Sequence, residues 1–220
     1  MPNDNPNAAA QQRVADVRAR IQRLDDDSLD LIFREARSHT LWTDKPVSDD
    51  QLHELYGLIA MGPTANNGCP SKVLFVRSAE AKGRLKPALG PANVAKVEAA
   101  PVTAIIAFDT QWYKALPRLF AHNQEAAKNF IERFDADPAR AEQVGFRNGS
   151  LQGAYFIIAA RALGLDCGPM SGFDNAKVDV EFFAGTTLKS NFLCNIGYGD
   201  LTGIFPRNPR YPFGEACEIL

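Results

Sequence analysis

The stretch Glu142–Gly164 reads EQVGFRNGSLQGAYFIIAARALG. Its second half is apolar almost all round, and it stops at a glycine suited to the left-handed cap that ends many helices. A helix of that kind is buried on every side, which predicts either the centre of a domain or a subunit interface. The two are compatible. Val73–Arg77 and Val102–Phe108 (VTAIIAF) are short runs rich in β-branched residues, the signature of strands covered on both faces, and NFLCNIGYGD (Asn191–Asp200) is strand-like. Ser48 and Gln51 have the spacing of a capping box ahead of a helix that carries Leu52, Leu55, Tyr56 and Ile59 on one face. RVADVRARIQRL (Arg13–Leu24) has helical spacing, Ser28 opens a second short helix, and another is expected near Ala176–Phe183. Gln111–Asp137 has weak periodicity and scattered aromatics, so irregular structure with a short helix is expected there, a candidate flap. Helices alternating with a few strands predict helices packed on a central sheet.

At 220 residues the expectation is one compact domain, residues 13–220, preceded by a disordered tail, residues 1–12, too polar to bury anything. The formal net charge of -2 gives no electrostatic reason to expect nucleic acid. Cys69, Cys167, Cys194 and Cys217 are widely separated and form no CxxC pair. They read as reduced thiols of a cytoplasmic protein, with no metal site. No secretory leader and no run of about 20 apolar residues is present, so no membrane association is expected.

The chain holds no GxSxG, GxxxxGK[ST], HExxH or strand-borne GxGxxG. What remains is a set of anion and amide donors on loops. Arg37, Ser38 and His39 end a helix; GPTANNGCP (Gly62–Pro70) precedes a strand; PMSG (Pro169–Gly172) follows the long helix; Arg207 and Arg210 lie near the end. A phosphorylated planar cofactor would want such a set: guanidinium forks and a hydroxyl for phosphate, amides for polar ring atoms, and Gly or Pro where backbone nears a ring. The same residues also read as surface charge and ordinary turns.

Taken in order and spacing, RSH at Arg37–His39, PTANNGCP with Pro63, Thr64, Asn67 and Pro70, then PMSGFD, then Arg207 and Arg210 resemble the flavin-dependent nitroreductase family from about Ser28 onward. The resemblance implies an α+β fold, a three-layer α/β/α sandwich with a central, mainly antiparallel sheet, in an intertwined homodimer with FMN at the interface. It places the phosphate on Arg37, Ser38, His39, Arg207 and Arg210. Asn93 and Lys96 fall where the family meets the ribityl chain and the pyrimidine edge. Backbone at Pro63, Thr64, Asn67 and at Met170, Ser171 and Gly172 would line the ring, with Asn67 the side chain expected to touch it. Leu41, Ser171, Cys69 and Ser71 depart from common family residues, which speaks against broad nitroaromatic activity.

WTDKPVSDDQL, GPTANNGCP, APVTAII, GFRNGSLQGAY, RALGLDCGPMSGFD and FFAGTTLKSNFLCNIGYGD carry a closer match within the family. That match implies reduction of malonic semialdehyde to 3-hydroxypropanoate in uracil degradation, with NADPH or NADH and the aldehyde using one flavin site in turn. The substrate carboxylate wants a cation, and Arg147 is the candidate clamp, although it reads equally as an interface ion-pair partner. No acid–base residue stands out. A general nitroaromatic or quinone reductase and a flavin-binding protein without turnover are the alternatives.

Overall fold

The computed structural model describes residues 6–220. They divide into two compact units, residues 6–36 and Arg37–Leu220, where length pointed to one from residue 13 onward. In the first, α1 (Pro6–Arg20) is followed by α2 (Asp26–Leu29) and a π-helical turn, Asp30–Arg34. Residues 1–5 of the expected disordered tail lie outside the described residues; from Pro6 on, that segment is helix. Ala8, Ala9, Ala10, Gln11 and Gln12 are strong helix formers, and proline is tolerated in a first turn. The α1 helix stops at Arg20, short of Leu24. Asp25, not Ser28, caps the next helix: its carboxylate accepts from the Ser28 amide at 2.8 Å, and that bonding holds its pKa below the usual value.

The second unit carries α3 (Asp49–Ile59), β1 (Ser71–Val76), α4 (Ala79–Leu85), α5 (Pro91–Ala99), β2 (Val102–Asp109), α6 (Leu116–Leu119), α7 (Gln124–Ala136), α8 (Pro138–Ala162), β3 (Asp166–Met170), α9 (Asn175–Phe183), β4 (Leu188–Gly197) and α10 (Phe213–Ala216). Sheet order is β1-β2-β4-β3, and every pairing is antiparallel. Ile106, Cys194 and Ile196 face a core shared with Leu55 of α3 and Phe156 of α8. Ile105, Ala107 and Leu193 face the opposite core, with Leu85 of α4, Val97 of α5 and Val178 of α9. This is the expected three-layer sandwich, and β2, with Val102–Phe108 buried on both faces, is its centre. The Ser48 capping box is formed from both sides. Strand β3 was not anticipated because CGPM reads as a turn. As an edge strand, it can carry Pro169 without losing a ladder bond.

Helix α8 meets the sheet through glycines. A Cβ at Gly149 would sit 2.9 Å from Phe108 Cβ, and one at Gly145 would sit 3.0 Å from the Asp109 carbonyl and from the Trp112 ring. At Gly153 it would overlap the Phe192 ring. These positions, four residues apart, share one face, so the helix axis comes close to the strands. The helix is therefore not covered on every side: Leu151 stays half-exposed opposite the glycines, and Phe146, edge-on to the Phe108 ring, stays half-exposed at their flank. Its end follows expectation, with Gly164 at φ 72°, Leu165 N–H donating to Ala160 O at 2.9 Å and Gly164 N–H to Arg161 O at 3.0 Å.

The segment 111–137 is more regular than its sequence suggested. Asn123 caps the 13-residue α7, and Trp112, Tyr113, Leu116 and Phe134 form a third core. Alternation was hidden because the aromatics serve one small cluster rather than a long stripe. Tyr113 is buried there and donates to Asp135 Oδ1 at 2.8 Å. Burial, then that bond and the negative charge of Asp135, push its pKa up to about 12. Above pH 10 an unfolded chain ionises this tyrosine while the folded one retains the proton, so the group's contribution to stability falls from about pH 10 to about pH 12. Spectrophotometric titration of tyrosinate should show a late component that Tyr113→Phe removes.

Candidate functional site

Residues 37–43 lie between the start of β3 and the chain that leaves β4. Ser38 bridges Cys167, and Trp42 bridges Gly199. His39 N–H donates to Cys167 O at 2.9 Å, Thr43 N–H to Tyr198 O at 2.8 Å, and Asp200 N–H to Leu41 O at 3.0 Å. The Arg37 guanidinium donates to the Phe205 carbonyl. Arg37 thus meets the segment that carries Arg207 and Arg210, while Ser38 stays on β3. Arg210 turns back on its own neighbours, donating to Asn208 O at 2.9 Å. Two guanidinium groups and a hydroxyl on exposed or half-exposed backbone suit a phosphate. His39 corrects the expectation for its ring. The imidazole is buried, 6% exposed, with Nε2 at 3.2 Å from Asp166 Oδ1, so it braces the motif instead of enlarging its donor set. Leu41 lies against Gly203, whose Cβ would stand 2.9 Å from Leu41 Cγ.

A second group forms where β3 ends. Gly90 N–H and Asn93 Nδ2 both donate to Gly172 O at 2.9 Å, and Lys96 Nζ donates to Asn93 Oδ1 at 3.1 Å. Behind them, Asn195 Nδ2 donates to Lys96 O at 2.9 Å, and Asn195 Oδ1 accepts from Thr103 at 2.7 Å. The approach leaves no space for side chains: a Cβ at Gly172 would be 2.7 Å from Asn93 Nδ2. Met170 pairs with Leu193, and Ser171 and Gly172 are exposed. An amide, an ammonium and bare backbone along one edge match the polar rim and hydroxyls of a flavin.

The loop Gly62–Pro70 is elsewhere. It enters β1, the edge opposite β3, and three strand spacings separate those edges, about 14 Å. Asn66, Asn67 and Cys69 have φ of 54°, 53° and 40°, a left-handed backbone that non-glycine residues adopt at a cost. Thr64 Oγ1 accepts from Cys69 N–H at 3.1 Å. Asn67, expected to touch a ring, has its amide committed to Leu119 O at 2.8 Å. Two α8 side chains that sequence reasoning passed over fasten this loop. Asn148 Oδ1 accepts from Ala65 N–H at 2.8 Å, and Gln152 Oε1 accepts from Ser71 N–H at 2.9 Å. Both are buried. Their signal was available: two amides four residues apart, on the helix face that also carries Gly145, Gly149 and Gly153. Arg147 is exposed one position before Asn148 and has no ionic or hydrogen-bond partner among the described residues.

The expected residues therefore fall into one group along the β3 edge and one at the β1 edge. All four cysteines are free. No cluster among the described residues is arranged to hold a metal ion, and no described helix is long and apolar enough to cross a membrane.

The description "Nitroreductase family" matches residues 33–199. The chain belongs to the nitroreductase family. Curated relatives include a Burkholderia lata protein that carries the name NADH dehydrogenase/NAD(P)H nitroreductase, 54% identical over 89% of this chain and 98% of its own length. A Rhodopseudomonas palustris protein of the same name is 52% identical over 90% of this chain and 98% of its own length. Among solved structures, ydfN of Bacillus subtilis superposes with TM-score 0.80 at 22% identity, covering 89% of this chain and all 100% of the other. A nitroreductase of Exiguobacterium sibiricum in complex with FMN gives TM-score 0.77 at 17% identity, over 90% of this chain and 99% of its own. At these identities the structural likeness speaks for the fold. The nitroreductase fold fits the antiparallel four-stranded sheet with helices on both faces.

Proposed function

We propose that this nitroreductase-family chain reduces malonic semialdehyde to 3-hydroxypropanoate with NADPH or NADH, in a homodimer whose flavin site draws on both copies. It is an FMN-dependent NAD(P)H oxidoreductase, as its family and the names of relatives more than half identical support. The observation that supports the reading is that Asn93 and Lys96 are tied to Gly172 at one end of β3, while Ser38 pairs with Cys167 at its other end and Arg37 reaches Phe205, two residues before Arg207. Bound FMN supplies a two-electron carrier that a nicotinamide reduces and an acceptor re-oxidises.

The chain's own residues do the rest. Arg37, Ser38 and Arg207 take the phosphate, with Arg210 next to them. Asn93 and Lys96 meet the ribityl chain and the pyrimidine edge, and backbone at Met170, Ser171 and Gly172 approaches the ring. Pro63, Thr64 and Asn67 stand at the other sheet edge, so the loop of a second copy closes the same pocket. Three further features support two intertwined copies. Phe146 and Leu151 are half-exposed on α8, Phe205 and Tyr211 are exposed on the C-terminal segment, and a groove of ≈ 380 Å³ beside the open edge of β1 is lined by Tyr56, Val73 and Phe75 among others.

Arg147 supplies the cation for the substrate carboxylate. It is unpaired and adjoins Asn148, which holds the loop. Truncation to alanine is expected to raise KM for malonic semialdehyde roughly tenfold, the scale of one charged contact, while turnover of an uncharged quinone stays unchanged. An unchanged KM for the semialdehyde removes the clamp. The relatives' names favour a second reading, a nitroaromatic or quinone reductase, and comparing kcat/KM for the semialdehyde, a nitroaromatic and a quinone separates the two. Both readings require a yellow protein that NADPH bleaches without oxygen. A colourless protein that takes up no FMN ends both, and yellow protein that NADPH leaves unbleached points to flavin binding without turnover.

A further inference from the structure

Two chain segments contribute to the phosphate group of residues, and both are tied to a single carboxylate. Asp166 Oδ1 lies 3.2 Å from His39 Nε2, and Asp166 Oδ2 accepts from Gly199 N–H at 2.8 Å. His39 directly follows Arg37 and Ser38, whereas Gly199 begins the segment that leads through Phe205, the Arg37 partner, to Arg207. The His39 ring rests on Gly199 so closely that a Cβ there would overlap it. Asp166 opens β3, where Cys167 already holds both Ser38 and the His39 amide.

We propose that Asp166 is a positioning residue for flavin-phosphate recognition, clamping His39 with one oxygen and the Gly199 amide with the other so that Arg37, Ser38 and Arg207 share one geometry. The inference rests on the assignment of phosphate to those three residues. A carboxylate beside a phosphate site is electrostatically unfavourable, so removing its charge would alone tighten phosphate binding. A loss of affinity on neutralisation therefore reports lost positioning.

The test compares FMN with riboflavin, which lacks the phosphate, by fluorescence titration of the apo full-length chain. In Asp166→Asn an amide can no longer accept at both oxygens. The preference for FMN over riboflavin is expected to fall about tenfold, equivalent to one charge-assisted hydrogen bond lost, with riboflavin affinity unchanged and with partial recovery in Asp166→Glu. An unchanged or increased FMN preference overturns the proposal, as does an equal loss for both flavins. If the asparagine variant does not fold, Gly199→Ala serves instead, because its methyl group displaces the His39 ring; the same fall is expected, and an unchanged ratio again overturns the proposal. A parent protein that binds both flavins equally overturns the phosphate assignment itself and is distinguished by appearing before any substitution.

Discussion

Leucine at Gly149 should leave the second unit unable to fold, whereas alanine at Gly57 should raise the melting temperature. Both glycines are in helices, so propensity predicts a gain of about 0.5–1 kcal/mol at either position on substitution by alanine. Surroundings decide the sign. At Gly57, nothing lies within 4 Å of a new Cβ, and the gain is kept, worth about 1–4 °C in a chain this size. At Gly149 the Cβ would meet Phe108 Cβ at 2.9 Å, an atom bonded to the backbone of the central strand and unable to rotate away. Overpacking of this kind costs about 1–3 kcal/mol for a methyl. Leucine adds three more carbons between helix and sheet, against a total stability of about 5–15 kcal/mol. Thermal melts of Gly57→Ala, Gly149→Ala and Gly149→Leu check the order. A Gly149→Leu protein that melts like the parent would show that α8 does not need its close approach.

Asn93→Ala should yield a folded protein that loses its FMN during purification. Asn93 joins two pieces of the proposed site, donating to Gly172 O at 2.9 Å and accepting from Lys96 Nζ at 3.1 Å. Truncation frees the Lys96 ammonium from its position and unfastens the backbone that would approach the ring. Gly90 N–H still holds Gly172 O at 2.9 Å, so the local fold persists, and an exposed side-chain bond is worth only about 1 kcal/mol of stability. The dissociation constant for FMN is expected to rise about 10- to 100-fold, matching loss of one or two bonds to charged or polar groups. Lys96→Ala, which leaves Asn93 on Gly172, should cost less. Equal affinity in Asn93→Ala and the parent would remove the β3 edge from the site.

Much of the architecture was legible in short-range chemistry. The Ser48 box, the Gly164 cap and the β-branched run at Val102–Phe108 each depend on neighbours within a few residues, and each formed as expected. Strand β3 and helix α7 were hidden for opposite reasons. CGPM has poor strand chemistry and is rescued by pairing with β4, while the α7 aromatics answer to a local cluster with Trp112 and Tyr113 rather than to a main-core stripe.

The candidate site divides along the same line. Residue types and their order carried the chemistry: guanidinium, hydroxyl, amide and ammonium donors in a pattern that suits a phosphorylated flat ring. Composition could not say which of those donors point outward. His39 was counted among them, yet its imidazole faces Asp166, because Gly199 leaves space for a ring and β3 brings the carboxylate to it. Asn67 likewise spends its amide on Leu119. Local sequence sets propensity and donor chemistry because those depend on one residue and its near neighbours. Orientation, and the parting of the donors between opposite edges of one sheet, depend on pairings between residues more than 100 positions apart, such as Ser38 with Cys167 and Trp42 with Gly199, whose free energy exists only once the sheet has formed.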